Sequence, residues 1–205
     1  TNPFLHLSLH LAIAEQLHQD YDFEGLQLVL PTTVFEDRHV LNLDGTEVHL
    51  IYVGPCHQTG DTLIHVPSEG VVFTGDVIFH ECTPMGWNGS YEKWMKNLDF
   101  IISLKPKVIV PGHGPVCGVE GVVQMKADLE YVRGEAMRCF GLGMSALDAS
   151  KKIDFGPYAE WRAPARIFMN VERAYREFRN EAGDAPWDHA KTFDAIYHVA
   201  KARGL

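Results

Sequence analysis

Residues 54–79 read GPCHQTGDTLIHVPSEGVVFTGDVIF, and this stretch decides the fold. Two short β-prone segments, residues 62–66 and 70–76, are joined by the residues PSEG, which favour a turn. His57 follows an apolar run, and Asp76 ends the second β-prone segment. The pattern predicts a strand pair with polar side chains placed where strands give way to loops.

The flanking sequence predicts further strands and then helices. Asp44 and Gly45 separate two strands and favour a tight hairpin, since both residue types tolerate positive φ. A first helix is indicated by Leu5, Leu9, Ile13 and Leu17, which recur every four residues. The other predicted elements are a strand over 27–35, a helix over 90–104, a strand over 107–112, a helix over 119–140, a short helix opened by Ser145 and Asp148, and helices over 164–181 and 187–203.

Composition restricts the class of protein. The 205 residues are 46% hydrophobic with a formal net charge of −9, which is typical of a globular chain and argues against a nucleic-acid partner. Neither a basic run nor an apolar stretch of bilayer length points to a membrane. The four cysteines form no CxxC pair, so a reduced, cytoplasmic protein is predicted.

Three polar residues follow apolar strands with glycine close by: His57, Asp76 and His113. Each alone is typical of an ordinary loop or turn. Together they predict a metal site, because rigid strand ends hold ligands well and imidazole with carboxylate suits zinc, iron or manganese.

The stretch 54–79, a following helix and VIVPGHGPV (108–116) resemble the second half of a metallo-β-lactamase-fold hydrolase. The resemblance implies an α/β (α+β) fold, an αββα sandwich of two mixed sheets with helices outside. It implies that His57 belongs to one zinc site, that His113 completes a second, and that Asp76 bridges the two ions and is catalytic. The implied enzyme hydrolyses a small ester, thioester, lactone, lactam or phosphoester with a metal-bound hydroxide; an iron-dependent redox role is a second possibility within the family.

The family's His-x-His-x-Asp-His motif does not occur in this sequence, and His6 and His10 have a different spacing. We therefore expect an N-terminally incomplete sandwich over 1–144, a helical extension over 145–205 and weak or absent metal binding. Apolar surface left by such a sandwich predicts a homodimer. The alternative function is a non-catalytic remnant or interaction module.

Other candidate residues are less specific. Met85 and Trp87 are predicted either to line a substrate pocket or to pack in the core. Cys56 is a possible nucleophile, although no basic neighbour in the sequence favours a lowered pKa. The small-molecule substrate and the residues that bind it stay unassigned.

Overall fold

The protein is described by a computed structural model that covers residues 21, 22, 24–27, 29–181 and 185–205. The helix predicted over Leu5 to Leu17, with His6 and His10, lies outside the described residues. The described part contains one sheet followed by a helical region. Its strands are β1 (Arg38–Leu43), β2 (Thr46–Tyr52), β3 (Thr62–Val66), β4 (Val71–Phe79) and β5 (Val108–His113).

The sheet has the strand order β1-β2-β3-β4-β5. The first four strands pair antiparallel, and β5 pairs parallel to β4. A parallel neighbour requires a crossover, which is helix α1 (Tyr91–Ser103). The sequence prediction of early hairpins and a later strand–helix–strand unit is confirmed.

The β1–β2 hairpin turns at Asp44 and Gly45, whose φ angles are 50° and 90°. Two positive φ values in a two-residue loop match the right-handed twist of the flanking strands. The predicted hairpin is therefore present at the predicted dipeptide.

The strand predicted over 27–35 is wrong: the described residues of this range have no strand assignment. Val29 and Val34 are more than four-fifths exposed. β-Propensity alone does not make a strand, because an extended segment also needs a partner ladder and a surface to cover. No described strand pairs with this segment.

In the described residues after β5, four α-helices follow: α2 (Val119–Gly141), α3 (Ala146–Lys152), α4 (Ile167–Phe178) and α5 (His189–Arg203). The predicted cap of α1 is confirmed, since the Ser90 side chain accepts a hydrogen bond from the Lys93 amide at 3.1 Å. Ser145 accepts from the Asp148 amide in the same way and opens α3. Helix α4 ends earlier than predicted because Asn180 is left-handed, with φ of 56°.

The two faces of the sheet have different surroundings. On one face Leu63 and Val72 are fully buried, and α1 packs there, since the Trp94 indole donates to the Val77 carbonyl at 2.8 Å. The register places other apolar side chains on the opposite face. We call Tyr52, Ile64, Phe73 and Val108 the outer sheet face; their exposed fractions are 39%, 39%, 42% and 36%.

The buried core continues from the sheet into the helical region. Ile167, Val171 and Val199 belong to the same cluster as Trp94 and Val72. The predicted division into 1–144 and 145–205 stays a prediction. None of the described helices combines the length and the apolar character that crossing a bilayer requires.

Candidate metal centre

His57, Asp76 and His113 meet at one edge of the sheet. The Nε2 atom of His57 lies 3.5 Å from Asp76 Oδ2, and the Nε2 atom of His113 lies 3.5 Å from the same oxygen. His57 lies in the loop after β2, Asp76 lies within β4 and His113 ends β5. The three side chains, predicted from sequence to share a site, are therefore neighbours around one carboxylate oxygen.

The β4–β5 pair positions two of these residues. The parallel register pairs Gly75 with Pro111 and Phe79 with His113, which brings Asp76, inside β4, near His113. The register shifts between Phe73 and Gly75 and again between Gly75 and Phe79. Such irregularities re-aim side chains next to functional sites, and Asp76 lies within this one.

The glycines of the PGHG stretch allow the close approach. A Cβ added at Gly112 would lie 2.0 Å from Asp76 Oδ1, and one added at Gly114 would lie 1.6 Å from the His80 carbonyl oxygen. Gly114 also has φ of 89°. Both glycines are therefore required for the loop to bring His113 beside Asp76.

The three side chains differ in solvent exposure, from His57, the most buried, to His113, the most exposed. The exposed fractions are 15% for His57, 31% for Asp76 and 44% for His113. The His113 ring stacks on Phe79 at 4.8 Å, which fixes the plane of the more exposed imidazole. Burial lowers the pKa of His57, although Asp76 and Asp61 oppose the shift. The lowered pKa favours the neutral imidazole, which is the form that binds metal.

Asp61 holds the His57 loop. Its Oδ2 accepts hydrogen bonds from the backbone amides of Cys56 at 2.8 Å and His57 at 2.7 Å, and Oδ1 accepts from Gln58 at 3.1 Å. Three consecutive amides thus converge on one buried carboxylate. This residue was missed as a functional candidate; the signal for it was an Asp shortly after a loop histidine, which favours local side-chain-to-backbone bonds.

Helix α4 holds the same loop from the other side. Arg173, only 3% exposed, donates from Nη1 to the Cys56 carbonyl at 2.9 Å and lies over the Trp94 ring at 5.0 Å. Asn170 donates to the Pro84 carbonyl at 2.8 Å. Sequence reasoning missed Arg173, since it is 117 positions from Cys56 and carries no local signal.

Cys56 does not have the properties of a nucleophile. Burial, followed by the nearby Asp61 charge, raises the pKa of its thiol to about 12. A thiol must ionise to attack. Cys56 therefore packs beneath the loop as a protonated side chain, and the possibility of a cysteine enzyme is not supported.

The contacts around Asp76 define two pairs, one with each imidazole. Correspondingly, in the part of the chain that the structure describes, no group of three or more His, Cys, Asp or Glu side chains is arranged around a single ion position. The structure therefore shows Asp76 in contact with two imidazoles, and it does not show a complete ligand set for one ion among the described residues.

Met85 and Trp87 separate in the structure. Met85 packs against the core cluster, whereas the Trp87 amide donates to the His57 carbonyl at 2.7 Å and its ring is half-buried. The pocket interpretation is therefore retained for Trp87 alone.

Comparison with known proteins agrees with this geometry. A sequence model described as the metallo-beta-lactamase superfamily matches residues 5–113, and the chain belongs to that family. It is 31% identical over 91 residues to the 2,4-dinitroanisole O-demethylase subunit alpha of Nocardioides sp. (strain JS1661), covering 42% of this chain and 27% of that protein. It is 29% identical over 104 residues to the metallo-beta-lactamase type 2 of Bacteroides fragilis, covering 48% and 42%.

Among solved structures, a metallo-beta-lactamase family protein from Thermus thermophilus superimposes with a TM-score of 0.54 at 19% identity, over 75% of this chain and 50% of that one. This likeness confirms the predicted fold class. The chain spans less than half the length of these curated relatives.

Proposed function

We propose that this chain carries part of the active site of a metal-dependent hydrolase acting on a small ester, thioester, lactone, lactam or phosphoester. The observation that carries the proposal is the Asp76 oxygen placed 3.5 Å from both His57 and His113. Membership of the metallo-beta-lactamase superfamily supports hydrolysis as the type of reaction.

The side chains present fit a metal ion as a partial ligand set. Zinc bonds of about 2.0–2.1 Å in a tetrahedral site place neighbouring ligand atoms about 3.3–3.4 Å apart. The two 3.5 Å separations approach that spacing. Nitrogen and carboxylate oxygen donors suit zinc, with iron and manganese as alternatives.

Each residue has a distinct proposed role. His57 would bind through Nε2, and its burial favours the neutral imidazole by lowering its pKa. His113 would bind through Nε2 at the second position. Asp76 would face both positions and act in catalysis, because its Oδ2 can accept a hydrogen bond from a water molecule and fix the direction of attack. When bound, the metal supplies a water of lowered pKa and polarises the bond under attack.

Three ligands are few for two ions, so we expect weak binding. Equilibrium dialysis with zinc should give an affinity that falls at least tenfold in Asp76→Asn and His113→Ala. It should be unchanged in His198→Ala, a histidine on the exposed face of α5. Zinc affinity that is unchanged in both Asp76→Asn and His113→Ala would overturn the site. A tightly held pair of ions after dialysis would contradict the expected weakness.

Hydrolysis is measured on the same zinc-loaded variants with one ester, thioester, lactone, lactam and phosphoester. Turnover of at least one class, lost in Asp76→Asn, is the expected result. Binding of zinc without turnover of any class would favour the alternative, a non-catalytic binding module.

A further inference from the structure

A cavity of about 400 Å³ lies beside the loop that carries His57. Its walls come from that loop, from the segment after Met85 and from the start of α5. Aromatic rings and side-chain amides supply most of the lining: Trp87, Trp187, His189, Gln58 and Asn88. The volume is within the usual range for small-molecule pockets.

The cavity shares its backbone with the candidate metal centre. The amides of Trp87 and Asn88 both donate to the His57 carbonyl, at 2.7 Å and 3.3 Å. Gln58 is the next residue along the chain. The cavity therefore adjoins the backbone of His57, whose side chain contacts Asp76.

The aromatic walls are held in place before any ligand binds. The Arg176 guanidinium lies 4.0 Å over the Trp187 ring and donates to the Ala185 carbonyl at 3.0 Å. Trp87 contacts Trp187 edge-on at 5.9 Å and His189 at 4.6 Å. Rigid walls lose little entropy on binding, which favours affinity.

The residue types that line the cavity indicate which kind of ligand it can bind. No Asp, Glu, Lys or Arg lines the cavity in the described part of the chain. Flat rings bind flat rings through offset or edge-on contacts, and the two amides offer donors and acceptors to an uncharged polar group. Building on the proposed hydrolase, we propose that this cavity binds an uncharged aryl group of the substrate.

The first test measures binding without turnover. Ligand-observed ¹⁹F NMR with 4-fluoroacetophenone reports on an uncharged aryl ketone. We expect saturable binding that weakens about tenfold in Trp87→Leu, which keeps apolar bulk but removes the ring. The matched control is Tyr197→Leu, an aromatic residue of α5 that is 58% exposed and does not line the cavity. Equal binding by Trp87→Leu and the wild type would overturn the proposal.

A second variant tests the cavity independently, in case Trp87→Leu does not fold. Gln58 is exposed at the rim, so Gln58→Arg can obstruct the cavity without disturbing the core. Binding should fall in this variant as well, with circular dichroism unchanged. Full binding by a folded Gln58→Arg would also count against the assignment.

The second test separates this inference from the proposed function. Benzyl acetate and cyclohexylmethyl acetate differ in ring flatness and have similar leaving groups. If either ester is hydrolysed, Trp87→Leu should lower kcat/KM for the benzyl ester about tenfold more than for the cyclohexylmethyl ester. Aryl binding that depends on Trp87, without hydrolysis of any ester, would support the aryl-binding cavity and count against the hydrolase. Hydrolysis with no preference for the benzyl ester and no aryl binding would support the hydrolase and count against the cavity.

Discussion

At the scale of single residues, the Asp61 carboxylate determines where His57 lies. Replacing it with Asn leaves one acceptor oxygen for three amides. Because hydrogen bonds to charged groups contribute about 1.5–3 kcal/mol each, we expect Asp61→Asn to lower the free energy of unfolding by about 2 kcal/mol. Urea denaturation followed by far-UV circular dichroism gives the value.

The matched control for this prediction is Asp44→Asn. Asp44 has φ of 50° in the hairpin turn, where Asn is equally suitable. If Asp44→Asn lowers the free energy of unfolding as much as Asp61→Asn does, the effect cannot be assigned to the hydrogen bonds that Asp61 accepts.

The residues of the candidate centre were predictable because each follows an apolar strand in the sequence. His57, Asp76 and His113 needed no knowledge of the tertiary structure beyond that. The 3.5 Å spacing around Asp76 was not predictable, since it depends on the register shift at Gly75 and on the absent side chain at Gly112. The role of Arg173 could not be predicted for a related reason, because only folding brings α4 next to Cys56.

At the scale of elements, α4 is a support for the two loops around His57. Arg173→Lys keeps the charge but loses the planar fork that reaches Cys56 and covers Trp94. We expect the free energy of unfolding to fall by about 1–3 kcal/mol and zinc to bind less tightly. Denaturation and dialysis measure the two effects.

Arg179→Lys serves as the comparison for Arg173→Lys, because Arg179 follows the same helix and is about two-fifths exposed. If Arg173→Lys retains wild-type stability and zinc affinity, the support by α4 is refuted.

Helix α2 contains a buried carboxyl group that should make stability depend on pH. Burial raises the pKa of Asp128 to about 7 from an ordinary 3.8, and its Oδ2 has no hydrogen-bond partner. The folded chain therefore holds this proton more tightly than the unfolded chain. Its contribution to stability is full below about pH 4 and is lost as the pH rises through 7, by up to about 4 kcal/mol.

Asp128→Asn removes the ionisable group and should flatten that part of the stability profile, with its largest gain above pH 7. Thermal unfolding at several pH values measures this. Glu130→Gln on the exposed side of α2 is the control. Parallel profiles for Asp128→Asn and the wild type would exclude Asp128 as the source.

Elements whose residues carry a strong local signal were predicted correctly. The strand over 27–35 was predicted wrongly because a strand also depends on residues far away in the sequence. Ser90 and Ser145 mark the starts of two helices through hydrogen bonds to amides three residues along the chain. A strand over 27–35 would have depended on a distant partner, which local propensity does not supply.

At the scale of the whole molecule, the outer sheet face predicts self-association. Apolar side chains more than a third exposed, spread over four strands, form a surface of the kind that usually becomes an interface. We propose a two-fold dimer in which this face packs on its counterpart from a second copy, sheet against sheet. Sedimentation at micromolar concentration should give twice the mass of 23.0 kDa.

Phe73→Lys should shift the dimer to a monomer, because a charge at the centre of the face is costly to bury. Val123→Lys on α2, at a site 51% exposed, should leave the dimer intact. A wild-type protein that sediments as a folded monomer would rule out this use of the face.

The four cysteines offer a way to observe how the molecule opens. All are free and buried, and they lie in different places: Cys56 under the His57 loop, Cys82 beside Arg166, Cys117 just after β5 and Cys139 in α2. A thiol-specific alkylating reagent can reach each one only when its surroundings separate. Pulsed alkylation with mass spectrometry would therefore time the exposure of four regions without introducing a probe, and would show whether the His57 loop opens before the helices that hold it.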